Sequence, residues 1–503
     1  LLPIDYSGQL ARFGIKHVAL YEAIREAIAD GTLAPGERLP STRTFAAEYG
    51  LSRGSVSLAY DMLASGGYLR AGIGQGTFVA GSPGTKRPDN NRCEDGDRAA
   101  PAAPRLSSWG KRIAAMYEEE RLTERGANEA GSADIRVSFV PQGIGSRWFP
   151  WAEWRAVTAA RWKKLGASGE DGSSDPAGSM GLRRSIADRL RRERGITCDP
   201  GDIVLTSGSM QAIALVSQIL LEEGTNAVVE NPGYSGIRRA VRMSGARCVE
   251  GNVDECGIVP EDWDADLLFV TPTRQFPTGA VLTYDRRLSL LSWASRRGAW
   301  IVEDDFDSDF RWGGRPVEPL KALDTEERVV YIGTFSRSMR REVRIGYAVV
   351  PKQLREPMLA AKKLYDPYPV GVAEQEALAD WMADGGYDRY MKRLRRSYGR
   401  LESMLRQRLE ADLPGLFRIA PSDAGLHLYA IWLRDSESYG EFKRECRLRG
   451  VAWKDGTGYD AHSGSSSTAG APAALFGFSH LEEREIEEGI SVMREAAETI
   501  REG

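Results

Sequence analysis

The run Tyr331-Ile-Gly-Thr-Phe-Ser-Arg337-Ser-Met-Arg-Arg-Glu-Val-Arg344-Ile-Gly-Tyr347 decides how this chain is read. Thr334 and Ser336 offer hydroxyls, and Arg337 and Arg344 offer guanidinia, all groups that suit an anion. No lysine lies between Lys321 and Lys352, so the stretch holds no amine nucleophile. A guanidinium stays protonated at any useful pH and does not replace one. Outward from this run, apolar segments at Ile203–Leu205, Ala227–Val229, Leu267–Val270 and Trp300–Val302 alternate with longer helical patterns. That is the arrangement of a parallel sheet covered by helices, an α/β class. Asp304 follows the β-branched Ile301-Val302 and so falls at a strand's carboxyl end, where such sheets place their ligands. Ser207-Gly208-Ser209 precedes a helical stretch from Gln211, so its amides can face an anion at a helix N-terminus.

With 503 residues, 42% apolar and 27% charged, the chain has ordinary globular composition and is long enough for more than one domain. A net charge of −4 gives no global signature for nucleic acid or membrane. The five cysteines are scattered without ligand spacing, which points to a reducing compartment. The opening Leu-Leu-Pro-Ile-Asp-Tyr has no secretory pattern, and no apolar run approaches the ~18 residues that span a bilayer. No membrane association is expected and a cytoplasmic location is. His17, His427, His462 and His480 lack metal-ligand spacing, so no metal site is expected. Residues 81–132 have linker composition, with a short helix from Trp109 to Arg121. The basic run Lys392–Arg400 reads as the solvated face of a helix rather than a second DNA site, and His462–Gly470 as a surface loop.

Residues 1–80 read as a separate small α+β unit. Leu20, Ile24 and Ile28 share one helical face. Ser41 caps a second helix that Gly50 ends, and Ser52 caps a third through Val56, Tyr60 and Leu63. Two short strands around the glycine-rich Gly72–Gly76 turn complete a winged helix-turn-helix. Acids and bases nearly balance here, so firm DNA binding calls for two copies on one operator.

The run Leu33-Ala-Pro-Gly-Glu-Arg-Leu-Pro-Ser41, followed by Leu51-Ser-Arg-Gly-Ser-Val56, resembles the reader of the GntR superfamily. The resemblance implies contacts to a double-stranded operator from Arg38, Ser41, Arg43, Ser52, Arg53 and Ser55, with the wing near Gly74–Thr77, including Gly76 and Thr77, reaching the minor groove. Residues 133–503 resemble a fold-type I aminotransferase, with a mainly parallel sheet, through Asp175-Pro-Ala-Gly178, Thr206-Ser-Gly-Ser209, Asn231-Pro-Gly-Tyr234, Thr271–Gly279, Glu303–Asp307 and the Arg337 segment. The whole arrangement resembles the MocR subfamily, whose members include GabR-like and PdxR-like regulators. Within it, Ser207, Gly208, Ser209, Thr334, Ser336 and Arg344 match the phosphate end of a pyridoxal-phosphate site. Tyr234 matches the residue that stacks on the cofactor ring, and Asp304 the carboxylate facing the ring nitrogen. Arg337 stands at the imine lysine, Phe306 at a tyrosine, Arg274 at a histidine, and Leu475 and Gly236 where relatives carry arginines.

The resemblance therefore implies a transcriptional regulator with no catalytic residues, a head-to-tail, domain-swapped homodimer that senses a small anionic effector. Pyridoxal phosphate, held without a covalent bond, is the first candidate. The alternatives are a pyridoxal-phosphate aminotransferase and a ligand-independent regulator. Arg337 either grips a ligand anion or forms an internal ion pair with Asp304, Asp305 or Asp307. Tyr234 is either a ring platform or a packed core residue, and Asp304 either a ring partner or half of an ion pair.

Overall fold

A computed structural model describes residues 2–72, 76–80, 105–129, 134–168, 175–307, 309–312, 317–460 and 471–501. Compact units span Leu1–Pro104 and Arg105–Gly503. In the first, Leu20 and Ile24 of the helix Lys16–Ala29 pack with Phe45, Val56, Tyr60 and Leu63 into one small core. Ser41 and Ser52 start the helices Thr42–Tyr49 and Arg53–Ser65 as the sequence predicts: their hydroxyls accept from the amides of Thr44 at 3.2 Å and Ser55 at 3.1 Å. The wing strands Leu69–Gly72 and Gly76–Val79 pair antiparallel, and the second also pairs with Arg38–Leu39. Gly74, at the predicted wing tip, lies outside the described residues. A further helix, Tyr6–Phe13, was not legible as a pattern; Asp5 caps it by accepting from the amide of Gly8 at 2.9 Å.

The second unit is built on an eight-stranded sheet. Its order is Ile203–Thr206, Gly346–Val349, Val329–Thr334, Trp300–Asp304, Leu267–Val270, Asn226–Asn231, Arg247–Asp254 and Gly257–Ile258. The strands from Val329–Thr334 to Arg247–Asp254 run parallel, and Gly346–Val349 is antiparallel to both neighbours. Side chains alternate between faces as a strand requires. Ala227, Val229, Leu267, Phe269 and Val302 enter one core, while Val228, Leu268, Val270 and Ile301 enter the other. Both faces are covered, which is why these strands read as continuous apolar runs. A smaller antiparallel sheet, ordered Phe417–Ile419, His427–Trp432, Ala473–Gly477 and Lys454–Asp455, lies nearer the C-terminus.

One sequence expectation shifts here. Of the 81–132 linker, residues 81–104 and 130–132 lie outside the described residues, but a helix from Ser108 to Glu129 belongs to the body. Arg112 fixes it, bonding Glu223 at 2.9 Å and the carbonyl of Met243 at 3.1 Å. The polar composition of the segment hid this docking, because the partners of Arg112 lie more than a hundred residues away along the chain. Lys392–Arg400 lies on the helix Gly386–Asp412, where Arg393 meets Glu153 at 3.4 Å, Arg395 meets Glu193 at 3.5 Å and Arg400 pairs with Glu483.

Candidate functional site

A cavity of about 280 Å³ opens at the carboxyl ends of the parallel strands, and it gathers most of the predicted ligand residues. Gly208 and Ser209 bring the start of the helix Ser209–Leu220, which no side chain caps. Its first amides are therefore free for an anion, and twelve residues of helix stand behind them. Gly208 has φ +100°, and a Cβ there would sit 3.2 Å from an Arg344 nitrogen. Arg344 itself adopts a left-handed backbone, φ 50°, and donates to the carbonyl of Ser207 at 2.5 Å. Strand pairing sets Thr334 opposite Gly346 and Gly346 opposite Thr206, which brings the Thr334 and Gly208 loops to one rim. The amide of Ser336 donates to the Thr334 hydroxyl at 3.1 Å, whereas the Ser336 hydroxyl is buried without a partner. Ser207 is the one predicted member that does not line the cavity. Its amide is taken by Gln211 at 2.8 Å and its carbonyl by Arg344.

The ring-sized part of the cavity is aromatic. Tyr234, Phe276 and Phe306 line it, with Phe276 edge-on to Tyr234 at 5.8 Å and to Phe306 at 5.6 Å. Gly236, in the helix Ser235–Ser244, lets Tyr234 lie back on that helix, since a Cβ would come within 2.5 Å of the Tyr234 ring and 2.8 Å of the Met210 sulfur. An arginine at that position would have to push the Tyr234 ring or the Met210 side chain aside. Sequence reasoning missed Gly143, Met210, Thr271, Phe276 and Arg341 as lining residues. Thr271 and Phe276 lie within the quoted Thr271–Gly279 run and Arg341 within the Arg337 run, whereas Gly143 and Met210 arrive by folding.

Asp304 is 4% exposed and its Oδ1 is buried without a hydrogen bond. Burial, reinforced by Asp305, raises its pKa to about 7, while Arg337 pulls it down. Burial likewise lifts Glu230 to about 7 against hydrogen bonds from Thr271 and Gln275. A lone buried carboxylate is costly unless something pairs with it. An orphaned Asp304 oxygen, an orphaned Ser336 hydroxyl and an uncapped helix start are together the unmet needs that a phosphorylated, ring-nitrogen ligand such as pyridoxal phosphate would satisfy. The residues present fit that group.

Arg337 lines the cavity, and its guanidinium sits over the Phe306 ring at 5.6 Å. The internal ion pair weighed from sequence does not form: among the described residues, Asp305 pairs with Arg194 at 3.1 Å and Asp307 with Arg274 at 3.3 Å, and no carboxylate pairs with Arg337. The described lining holds three arginines and no lysine. Arg274 has become a strut. It is 2% exposed and donates to the carbonyls of Ala424 at 2.9 Å and His427 at 2.8 Å besides meeting Asp307. A Cβ on Gly425 would collide with it at 2.1 Å. Burial, together with Arg274, holds His427 well below the usual imidazole range, so this ring is neutral. Leu475 is fully buried opposite Tyr429 in the small sheet and does not line the cavity.

In the first unit, Arg38, Arg43 and Arg53 are exposed and make no ion pair among the described residues. Ser41 and Ser52 spend their hydroxyls on caps and on Thr44 and Ser55, at 2.8 and 2.9 Å. Gly76, φ +109°, leaves space that Arg38 fills, with Nε 2.9 Å from where a Cβ would be. Thr77 is half-buried in the wing strand. The groups free to meet phosphates or bases are thus the three guanidinia and the first amides of two capped helices.

Residues 16–79 match the family model for bacterial regulatory proteins of the gntR family, and residues 154–463 match aminotransferase class I and II. The chain is 33% identical over 487 residues to the probable rhizopine catabolism regulatory protein MocR of Rhizobium meliloti, covering 95% of this chain and 93% of that one. It is 34% identical over 410 residues to the pyridoxine biosynthesis transcriptional regulator PdxR of Corynebacterium glutamicum, covering 81% of each. The fold resembles kynurenine aminotransferase of Pyrococcus horikoshii, with TM-score 0.67, 24% identity and coverage of 75% of this chain and 94% of that one. No helix among the described residues is long and apolar enough to cross a membrane. A gntR-type winged helix-turn-helix ahead of an aminotransferase-fold body, in a sequence that follows such regulators nearly end to end, places this chain in the MocR subfamily of DNA-binding transcriptional regulators.

Proposed function

We propose that the aminotransferase-like body of this regulator is a pseudoenzyme that senses a phosphate-bearing ring ligand, with pyridoxal phosphate or pyridoxamine phosphate as first candidates. The observation that carries this reading is Arg337 in the cavity lining, where no lysine accompanies it. The amides of Ser209 and Met210, the Thr334 and Ser336 hydroxyls and Arg344 would hold the phosphate. Tyr234 would support the ring and Asp304 its nitrogen. Bound, such a ligand supplies electron-withdrawing chemistry through its ring; here the surrounding residues only bind and orient it, because no side chain of the described lining is a free amine. Solved neighbours with the same fold include one in complex with PMP and one carrying N-(5'-phosphopyridoxyl)-L-leucine, which supports the choice of ligand.

The reading extends to the rest of the chain: residues 1–80 read DNA, the 81–132 linker ends in the docked helix Ser108–Glu129, and 133–503 sense and dimerise in a cytoplasmic, head-to-tail, domain-swapped homodimer. Arg38, Arg43 and Arg53, with the caps at Ser41, Ser52 and Ser55 and the wing at Gly76 and Thr77, would face the operator. Occupancy shifts operator binding only through a difference in ligand affinity between two arrangements of the readers. The test is isothermal titration with pyridoxal phosphate, followed by operator binding with and without it. Saturable binding near one ligand per chain, without an imine absorbance band, is expected. Transamination of an amino acid would overturn the non-catalytic reading, and unchanged operator affinity in saturating ligand would favour a ligand-independent regulator.

A further inference from the structure

The ligand proposed above leaves one charge of the pocket unanswered. Arg337, Arg341 and Arg344 line the cavity together with a single carboxylate, Asp304. None of the three arginines has an ion-pair partner among the described residues. A phosphate monoester brings about two negative charges near neutral pH, and a ring protonated at nitrogen brings one positive charge to face Asp304. The sum still leaves one guanidinium uncompensated. Position identifies which: Arg344 stands at the helix start, held to the carbonyl of Ser207, and Arg341 lies exposed to water beside Gly143, whereas the half-buried Arg337 lies over Phe306 at the aromatic end. Phe306 offers that half-buried guanidinium only its ring face, and a guanidinium is satisfied better by a planar oxyanion.

We infer that this pocket selects a phosphorylated aromatic carboxylate, its phosphate at the Gly208–Ser209 helix start and its ring carboxylate in the fork of Arg337. The inference rests on the ligand reading above and sharpens it. An aldehyde offers the fork one weak acceptor. An alcohol offers a neutral oxygen. An amine sets an ammonium against the guanidinium, a like-charge contact that opposes binding. Within one ring scaffold the order of affinity is therefore carboxylate, then alcohol, then amine. Charge-assisted hydrogen bonds of this kind separate the first from the last by about tenfold or more.

The experiment is calorimetric titration of the full-length protein at one ionic strength with pyridoxic acid phosphate, pyridoxine phosphate, pyridoxamine phosphate and inorganic phosphate. Pyridoxic acid phosphate is expected to bind tightest. Arg337→Gln is expected to weaken it by about tenfold or more while changing pyridoxamine phosphate by less than about threefold. Arg337→Lys, which keeps the charge and loses the fork, keeps the order with a smaller spread. The denaturant midpoint of each variant, unchanged from the parent, reports that the body is folded. Pyridoxamine phosphate binding as tightly as the carboxylate, or both weakening equally in Arg337→Gln, overturns the inference and leaves the phosphate-ligand reading standing. If none of the four binds, the phosphate site itself is wrong and both readings fall. If Arg344→Gln abolishes all binding, the phosphate end stands and the Arg337 comparison is decisive.

Discussion

Asp304→Asn isolates the energetic cost of one buried carboxyl oxygen without a hydrogen bond. Burial raises the Asp304 carboxyl from 3.8 to about 7, with nothing hydrogen-bonded to its Oδ1. At ~1.4 kcal/mol per tenfold change in acidity, that displacement amounts to roughly 4 kcal/mol of lost stability once both folded and unfolded chains are ionised. The sign is that of a carboxyl whose folded value is raised. The unfolded chain ionises first, so stability falls as pH climbs from about 4 and levels off above about 7. By about pH 5 somewhat over 1 kcal/mol has been lost, and by about pH 8 the whole. Discounting by half for water in the cavity, the variant's stability relative to the parent should rise by about 1–2 kcal/mol between those two conditions. The constant penalty of a buried amide cancels in that comparison. Denaturant unfolding of the body, in phosphate-free buffer without ligand, measures the difference at both pH values. Parallel pH profiles for parent and variant would refute the assignment of Asp304 as an uncompensated buried acid. The same substitution should weaken ring-nitrogen ligands, so stability gained and affinity lost would appear in one protein.

Three further outcomes are expected. Removing exposed guanidinia with Arg43→Gln and Arg53→Gln should each weaken operator binding by about tenfold and lower the salt slope by about one, read by fluorescence anisotropy across a salt series. Ser52→Ala, which deletes the 3.1 Å cap on the amide of Ser55, should destabilise the reader by about 1 kcal/mol in thermal unfolding while leaving calorimetric ligand binding unchanged. Gly236→Arg, despite restoring a residue found in relatives, should abolish ligand binding in the same titration, because even its Cβ meets the Tyr234 ring at 2.5 Å.

How much of this was legible in the sequence depended on how local each feature is. Ser41 and Ser52 declared their helices because a cap acts on an amide three residues away. The strands Leu267–Val270 and Trp300–Asp304 declared themselves because a sheet covered on both faces needs unbroken apolar runs. Asp304 and Arg344 were placed by their distance from such runs. What stayed hidden was long-range. Gly143 reaches the cavity from a segment far upstream of the sheet, and Arg341 sits in the same quoted run as Arg337 but gave no sign that it lines the cavity. Arg274 was legible as a departure from a familiar pattern but not as a strut, because its partners Asp307, Ala424 and His427 are brought together only by the tertiary fold. Ser207 shows the converse error. Its place in a helix-start motif suggested an anion contact, yet Gln211 reaches back and takes its amide.

The Arg274 strut has a mechanical consequence. One guanidinium, inaccessible to water, grips the loop after Trp300–Asp304 through Asp307 and the small sheet through Ala424 and His427. Water cannot substitute for any of these grips, so parting them would leave a charge stranded in a dry interior. The two sheets are therefore pinned like the leaves of a hinge with a bolt through it. Opening the molecule at this point would cost the buried charge all three of its partners. Whatever free energy a ligand releases in this pocket is left to act on the parts of the chain that are still free to move.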